Sequence, residues 1–361
     1  MDVGYGGRLH TQTVAVTADA QTMISQKILL LLVSLVCHSM AIESSRFDSI
    51  SRGVQRASKT KVHFGDLAVN FFFTRKCNYA CKFCFHTSKS SYVLQLDDQL
   101  ELISRLRLSG VAKINFAGGE PFLTQYHKML GEMVKHSKTA GFESVSIISN
   151  GSQLDPAWFD EYGSYLDVLG ISCDSAVAST NLAIGRASGR HEDQVENIRR
   201  ASKICSAYGV KFKMNTVVCS HNKLEDITPL VNELSPMRWK VFQVLPLDGE
   251  NTGANALRNV DDLLISDEEF EQYLERNRRG LRDISIMKAE SNKVMQSSYL
   301  LVDEYGRFLD CSSGGKIPTK SILEVGVEAA YEELISSQGG GFDRTAYYDR
   351  DGYYPDGWSR N

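Results

Sequence analysis

The chain has 361 residues, 42% of them apolar and 23% charged, with a formal net charge of −4. That is enough apolar sequence for one large α/β body or two ordinary domains, and it excludes a chain that is disordered throughout. The slight acidic balance excludes the basic excess on which nucleic-acid binding depends, so no nucleic-acid partner is expected and any anion must be held by a local site.

Residues 1–27, opening MDVGYGGRLHTQTV, carry little apolar periodicity and read as disordered or as a processing segment. Residues 28–42, ILLLLVSLVCHSMAI, are the one strongly apolar run, set between Lys27 and Glu43. The run is shorter than the roughly 20 residues that cross a bilayer, which leaves three readings: a signal-peptide core, a short membrane anchor, and a helix lying in the interface. The cysteine chemistry below needs a reducing compartment. We therefore expect weak association with the cytosolic face of a membrane. No core-forming pattern occurs before about residue 62, so residues 63–245 are expected to form the main body and residues 246–361 an extension of it.

From residue 66 onward, short β-type runs alternate with helical patterns. LAVNFFF (67–73), AKINFAG (112–118), SVSIISN (144–150), DVLGISC (167–173), VKFKMNTVV (210–218) and RWKVFQVL (238–245) predict six strands. Between them, stretches such as LDDQLELISRLRLSG and EDQVENIRRASKICSAYG repeat apolar residues at helical spacing and end in glycine. Strict alternation of strand and helix predicts a parallel sheet, and six such units predict a partial TIM-type (β/α)6 barrel closed by the C-terminal extension.

Strands covered on both faces should be apolar throughout, yet Lys113 and Asn115, Lys213 and Asn215, and Arg238 and Lys240 stand at alternate positions, on one face of each strand. A half-exposed antiparallel sheet would explain this without function. In a barrel the same face is the lumen, and the cations gathered there call for an anion, because unpaired buried charge is costly. Several positive charges suit a polyphosphate better than one carboxylate.

Of the eight cysteines, Cys77, Cys81 and Cys84 crowd together in CNYACKFCFH, directly after the first strand and so at the carboxyl end where barrel enzymes place their chemistry. Cys37, Cys173, Cys205, Cys219 and Cys311 are expected as small buried hydrophobes. Three thiolates could hold zinc with an outside ligand, although zinc knuckles usually pair two CxxC units and no second pair exists here. They could equally hold an iron–sulfur cube whose fourth iron stays open to a small molecule.

The spacing Cys-x3-Cys-x2-Cys, with Phe83 before the last cysteine and GGEP (Gly118 to Pro121) after the next strand, resembles the radical S-adenosylmethionine superfamily. The likeness narrows to the viperin family through CNYACKFCFHTSK, KINFAGGEPF, SVSIISNGS, ISCDS, IGR, FKMNTVV, SPMRWKVFQ, GENTGANALR, SYLLVDEYGRFLDC and KSILEVGVEAA, from about residue 66 to 331.

This resemblance implies a radical SAM lyase with two cofactors: a [4Fe-4S] cluster on Cys77, Cys81 and Cys84, and S-adenosylmethionine on its open iron. Gly118, Gly119 and Glu120 are implied at the methionine end, Asn150 and Ser172 at the ribose or carboxylate, and Arg186 at an anion. The substrate implied is a pyrimidine nucleoside triphosphate, CTP or UTP, dehydrated to an antiviral chain terminator, 3'-deoxy-3',4'-didehydro-CTP in the first case. Lys113, Lys213, Arg238, Lys240 and Lys316 are implied around the triphosphate, with Asn70 and Asn215 at sugar or base and Tyr299 beside the ribose. We expect a 5'-deoxyadenosyl radical to remove the C4' hydrogen and the 3'-hydroxyl to leave as water, with Tyr299 as catalytic donor of the final electron and proton.

The resemblance further implies an external electron donor, and placement at the cytosolic face of the endoplasmic reticulum or on lipid droplets, or otherwise in the cytoplasm. The tail GYYPDGWSRN, with Trp358, departs from the aromatic terminus through which the family engages iron–sulfur assembly machinery, so that partner is not carried over. RRGLRDISIM, ahead of KAESN, is expected as a surface loop. Two other readings compete: a radical enzyme acting on peptides, and a membrane-associated interaction protein with a non-catalytic cluster.

Overall fold

A computed structural model describes residues 64–187, 193–337 and 340–351. The apolar run at 28–42, the rest of residues 1–62 and Trp358 lie outside them. Among the described residues, no helix is long and apolar enough to cross a membrane.

All six predicted strands form, within a residue or two of the expected ends. The chain runs β1 (Ala68–Thr74), α1 (Leu96–Leu108), β2 (Lys113–Gly118), α2 (His127–Thr139), β3 (Ser144–Ser149), α3 (Pro156–Tyr162), β4 (Val168–Ser172), α4 (Ala178–Ile184), α5 (Gln194–Tyr208), β5 (Lys211–Val218), α6 (Thr228–Leu234) and β6 (Arg238–Gln243). The extension adds α7 (Asp267–Gly280), β7 (Met287–Glu290), α8 (Asn292–Ser297), β8 (Leu300–Val302), β9 (Arg307–Asp310), β10 (Ile317–Ser321), α9 (Ile322–Val325), α10 (Val327–Ile335) and α11 (Arg344–Asp351).

Helix starts follow from capping: the Asp193 side chain accepts from the Val195 amide at the head of α5, and Ser266 and Glu269 form a reciprocal capping box at the head of α7. Between β1 and β7 each crossover carries a helix, and all these strands pair in parallel. That pairing disposes of the half-exposed antiparallel alternative.

The strands lie in the order β10-β9-β8-β1-β2-β3-β4-β5-β6-β7. β8 joins β1 in parallel, and β9 and β10 continue antiparallel beyond it. On β5, Phe212, Met214, Thr216 and Val218 are buried under helices while Lys211, Lys213, Asn215 and Val217 are half-buried on the other face. Phe71, Ile114, Ile147, Leu169, Trp239 and Val241 continue the covered face of their own strands, all fully buried. One continuous apolar layer therefore fixes the register of six strands, and by alternation turns the polar set into the lumen.

Two expectations need correction. Among the described residues β7 and β10 are the two edges of the sheet and do not pair with each other, so the extension widens the sheet at both ends and does not close it by strand pairing. Nor is RRGLRDISIM simply a loop: Arg278 to Gly280 finish α7, Ile284–Ile286 make a single 3-10 turn, and Met287 opens β7. Amphipathic α7 packs Phe270, Tyr273 and Leu274 inward, and this carries the chain from the end of β6 to a seventh parallel strand.

Candidate active site

The lumen opens into a cavity of about 350 Å³, a size suited to a small ligand. Its walls combine Phe72, Ile148, Val217, Phe242 and Leu301 with polar groups from β1 to β6. Cys77, Cys81 and Cys84 line it, and so do all six residues expected at S-adenosylmethionine.

The cysteine loop is held by main-chain contacts. The Gly119 amide donates to the Thr74 carbonyl and the Glu120 amide to the Lys76 carbonyl, both at 2.8 Å. A Cβ on Gly119 would lie 1.9 Å from the Lys76 oxygen, so only glycine lets the end of β2 lie against the loop. On the other side the Ala80 amide donates to the Gly185 carbonyl and the Lys82 amide to that of Ile184. Gly185 has φ 85° and would place a Cβ 2.5 Å from the Ala80 oxygen. GGEP and IGR thus clamp the loop from two sides, and their glycines serve that approach before they serve any ligand.

The donor set fits a cluster. Three thiols share one cavity wall, and the Tyr79 amide points at the Cys77 sulfur, at 3.3 Å. Among the described residues no group of three or more His, Cys, Asp or Glu is arranged to hold a single metal ion. Burial, with the Glu120 carboxylate next, pushes the Cys77 thiol up to about 12, and burial pushes Cys81 up to about 11. Ligation at these thiols therefore releases their protons.

Glu120 is fully enclosed; its Oε1 accepts from the Phe122 amide and Ser149 hydroxyl, and its Oε2 from the Asn150 amide. Burial raises it to about 7 despite these bonds. The Asn150 side chain donates to Asn78 and accepts from Ser152, tying SNGS to the cysteine loop. Arg186 lines the cavity beside the Phe83 ring, 5.5 Å from its centroid, but its guanidinium donates to buried Asp174. That aspartate stands two positions beyond Ser172, on the same polar alternation, which is the signal in the sequence that marks it. Gln194 was also missed. It donates to the carbonyls of Asn150 and Ser172 and accepts from the Tyr79 hydroxyl, so it joins two strand ends to the loop.

At the other end, Asn70, Lys113, Lys213, Asn215, Lys240 and Tyr299 line the same cavity. Asn215 Oδ1 is buried without a hydrogen-bond partner, which suits a site completed by a ligand. Two expected residues are placed elsewhere. Arg238 is buried on the Lys240 face of β6 but does not reach the cavity wall. Lys316 lies over the rings of Phe72 and Phe85, donates to the Phe85 carbonyl and His86 Nδ1, and pairs with Glu250 at 3.3 Å. In this arrangement it braces the cysteine loop.

Glu250 also accepts from Arg75 and from the amide and hydroxyl of Thr87, and Arg75 reaches Glu304 at 2.7 Å. Burial acts against its charge, but Lys316, Thr87 and Arg75 together hold the Glu250 carboxyl down at about 2.

The floor comes from α11. The Tyr347 hydroxyl accepts from the Ala68 amide and donates to the Asp66 carbonyl, which fixes the helix under β1. The Arg350 guanidinium lies 3.8 Å over the Tyr299 ring. No apolar periodicity in FDRTAYYDRDG had marked this helix as part of the site.

A Radical SAM superfamily model matches residues 71–234. An S-adenosylmethionine-dependent nucleotide dehydratase from Danio rerio is 45% identical over 319 residues, 86% of this chain and 85% of that protein. One from Siniperca chuatsi is 47% identical and spans 81% of this chain and 79% of its own. One from the bacterium Flammeovirga pacifica is 36% identical over 80% of this chain and 95% of its own. Among solved structures, Streptococcus suis SuiB bound to S-adenosylmethionine superposes with a TM-score of 0.55 at 13% identity, covering 79% of this chain and 68% of that one. The likeness to SuiB is one of fold.

Proposed function

Because the chain belongs to the S-adenosylmethionine-dependent nucleotide dehydratases, the viperin branch of the radical SAM superfamily, we propose that its nucleotide is a pyrimidine nucleoside triphosphate, CTP before UTP. The proposed product from CTP is 3'-deoxy-3',4'-didehydro-CTP. The enzyme uses a [4Fe-4S] cluster and S-adenosylmethionine, which when bound supply the 5'-deoxyadenosyl radical that takes the ribose C4' hydrogen. The observation that carries the substrate reading is one shared wall: Lys113, Lys213 and Lys240 line the cavity that the three cysteines line.

In this reading Cys77, Cys81 and Cys84 hold the cluster. Glu120, Asn150, Ser172 and Arg186 bound the space over it, with Gly118 and Gly119 bringing the wall close. Lys113, Lys213 and Lys240 take the triphosphate, while Asn70 and Asn215 fix the sugar or base. The apolar part of the wall keeps water from the ribose radical. Tyr299 supplies the last electron and proton, and hydroxide needs that proton in order to leave as water. A one-electron donor is required from outside.

The test is anaerobic reconstitution followed by reductant, S-adenosylmethionine and each nucleoside triphosphate in turn. Deoxyadenosine that depends on a pyrimidine triphosphate, with a nucleotide lighter by one water, is the expected result. Iron incorporation without any triphosphate-dependent cleavage would favour the non-catalytic reading.

A further inference from the structure

Glu290 ends β7, and Tyr299 immediately precedes β8, at opposite ends of the parallel run of strands. Their side chains nevertheless meet: the Tyr299 hydroxyl donates to Glu290 Oε2 at 2.6 Å. Glu290 is 1% exposed, and its other oxygen accepts from the Lys240 ammonium, with Arg350 Nε at 4.0 Å. Lys240 also donates to the phenolic oxygen at 3.4 Å. The Tyr299 hydroxyl therefore gives its hydrogen to a carboxylate.

This orientation bears on how Tyr299 works in the dehydration proposed above, on which the inference rests. Arg350 over the ring and Lys240 at the oxygen both draw density from the phenol and oppose its oxidation. Loss of an electron alone would leave a phenol cation radical beside two cations. Loss of an electron to the substrate together with a proton to a neighbouring base leaves a neutral radical and avoids that charge. Among the described residues, the base in hydrogen-bond contact with the hydroxyl is Glu290.

We propose that Glu290 is a positioning residue that accepts the Tyr299 proton as the electron leaves. After the 3'-hydroxyl departs as hydroxide, the ribose fragment is an alkene radical cation. One electron passes from Tyr299 to that fragment, giving the 3',4'-alkene; the O–H bond breaks, its proton goes to Glu290, and Tyr299 becomes a neutral phenoxyl radical. The proton then passes from Glu290 to hydroxide, giving water and restoring the carboxylate. A one-electron reductant, of the kind radical SAM enzymes require, and a solvent proton return Tyr299 to the phenol.

The readout is nucleotide product formed per 5'-deoxyadenosine, which a purely structural role would not move. With reconstituted full-length protein, CTP and S-adenosylmethionine, Glu290→Gln should keep wild-type iron content and S-adenosylmethionine cleavage within about threefold, while product per deoxyadenosine falls at least tenfold. Tyr299→Phe should show the same fall, and the double variant should fall no further, because the two groups act as one unit. A ratio unchanged in Glu290→Gln, including the case where only the KM for CTP rises because Lys240 has shifted, overturns the inference; so does a double variant in which the two losses multiply. Should Glu290→Gln lose its iron, Tyr299→Phe in D2O decides. A solvent isotope effect on the product ratio that is present in the wild type and abolished in the variant supports proton acceptance from Tyr299, and an isotope effect equal in both refutes it. If wild-type protein makes no nucleotide product, the dehydratase reading fails and takes this inference with it.

Discussion

The two ends of the cavity are built by different means. The cysteine end is held by main-chain hydrogen bonds from two nearby turns, with glycines where backbone meets backbone. The opposite end, proposed for the nucleotide, is an assembly of long side chains, in which Lys240 of β6, Glu290 of β7, Tyr299 just before β8 and Arg350 of α11 meet through charge and ring contacts. A cluster needs its ligands fixed before it arrives, and backbone contacts supply that rigidity. The triphosphate proposed for the other end is itself flexible and can reorganise a set of flexible cations.

Breaking the first end should cost most. Gly119→Ala drives a methyl into the Lys76 carbonyl, which only backbone movement can relieve; we expect a loss of about 3 kcal/mol or more and near-absent cluster, read by denaturant unfolding and iron content. The acid arm of stability tests the ion cluster that braces the same loop. Glu250 drops from an ordinary 4.5 to about 2. Its contribution, equivalent to about 3 kcal/mol, is therefore fully present above pH 4.5 and is lost as pH falls toward 2. Unfolding measured from pH 6 to pH 3 should show that loss in the wild type and a flatter slope in Glu250→Gln; parallel slopes would remove Glu250 from the account.

Breaking the second end should leave the first intact. Lys213→Ala should raise the KM for CTP about tenfold, the effect of one lost charged hydrogen bond at ~1.5 kcal/mol, with iron content unchanged. A loss of iron there would mean that the two ends are not separable. The smallest effect is expected outside both. Arg279 is exposed on α7 and pairs with Glu275, so Arg279→Ala should shift stability by less than about 0.5 kcal/mol and leave KM and iron alone.

The residues proposed for the cofactor end gather on one cavity because they lie in short motifs at strand ends: Cys77 to Cys84, Gly118 to Glu120, Asn150, Ser172 and Arg186. What escaped was the partnership inside those motifs. Arg186, expected at an anion, has one within the protein itself, Asp174. At the substrate end the alternation of Lys113, Lys213 and Lys240 pointed correctly to a lumen, but the lumen is not purely cationic, since Glu290 answers Lys240. Lys316 belongs to a loop whose path depends on β9 and β10. Those strands are too short and mixed in polarity to be read from pattern, and the folded chain turns Lys316 toward Glu250.

The sequence by itself determined the six βα units, the face of each strand that turns inward, and the three thiols at the mouth. Each of these rests on spacing within a few residues, where periodicity and covalent geometry leave little choice. Only the tertiary structure decided that the sheet stays open among the described residues, that α11 forms the floor, and that the Tyr299 hydroxyl faces Glu290. Those outcomes depend on contacts between residues up to hundreds of positions apart, such as Tyr347 with Asp66, and such contacts are set by the packing of whole elements.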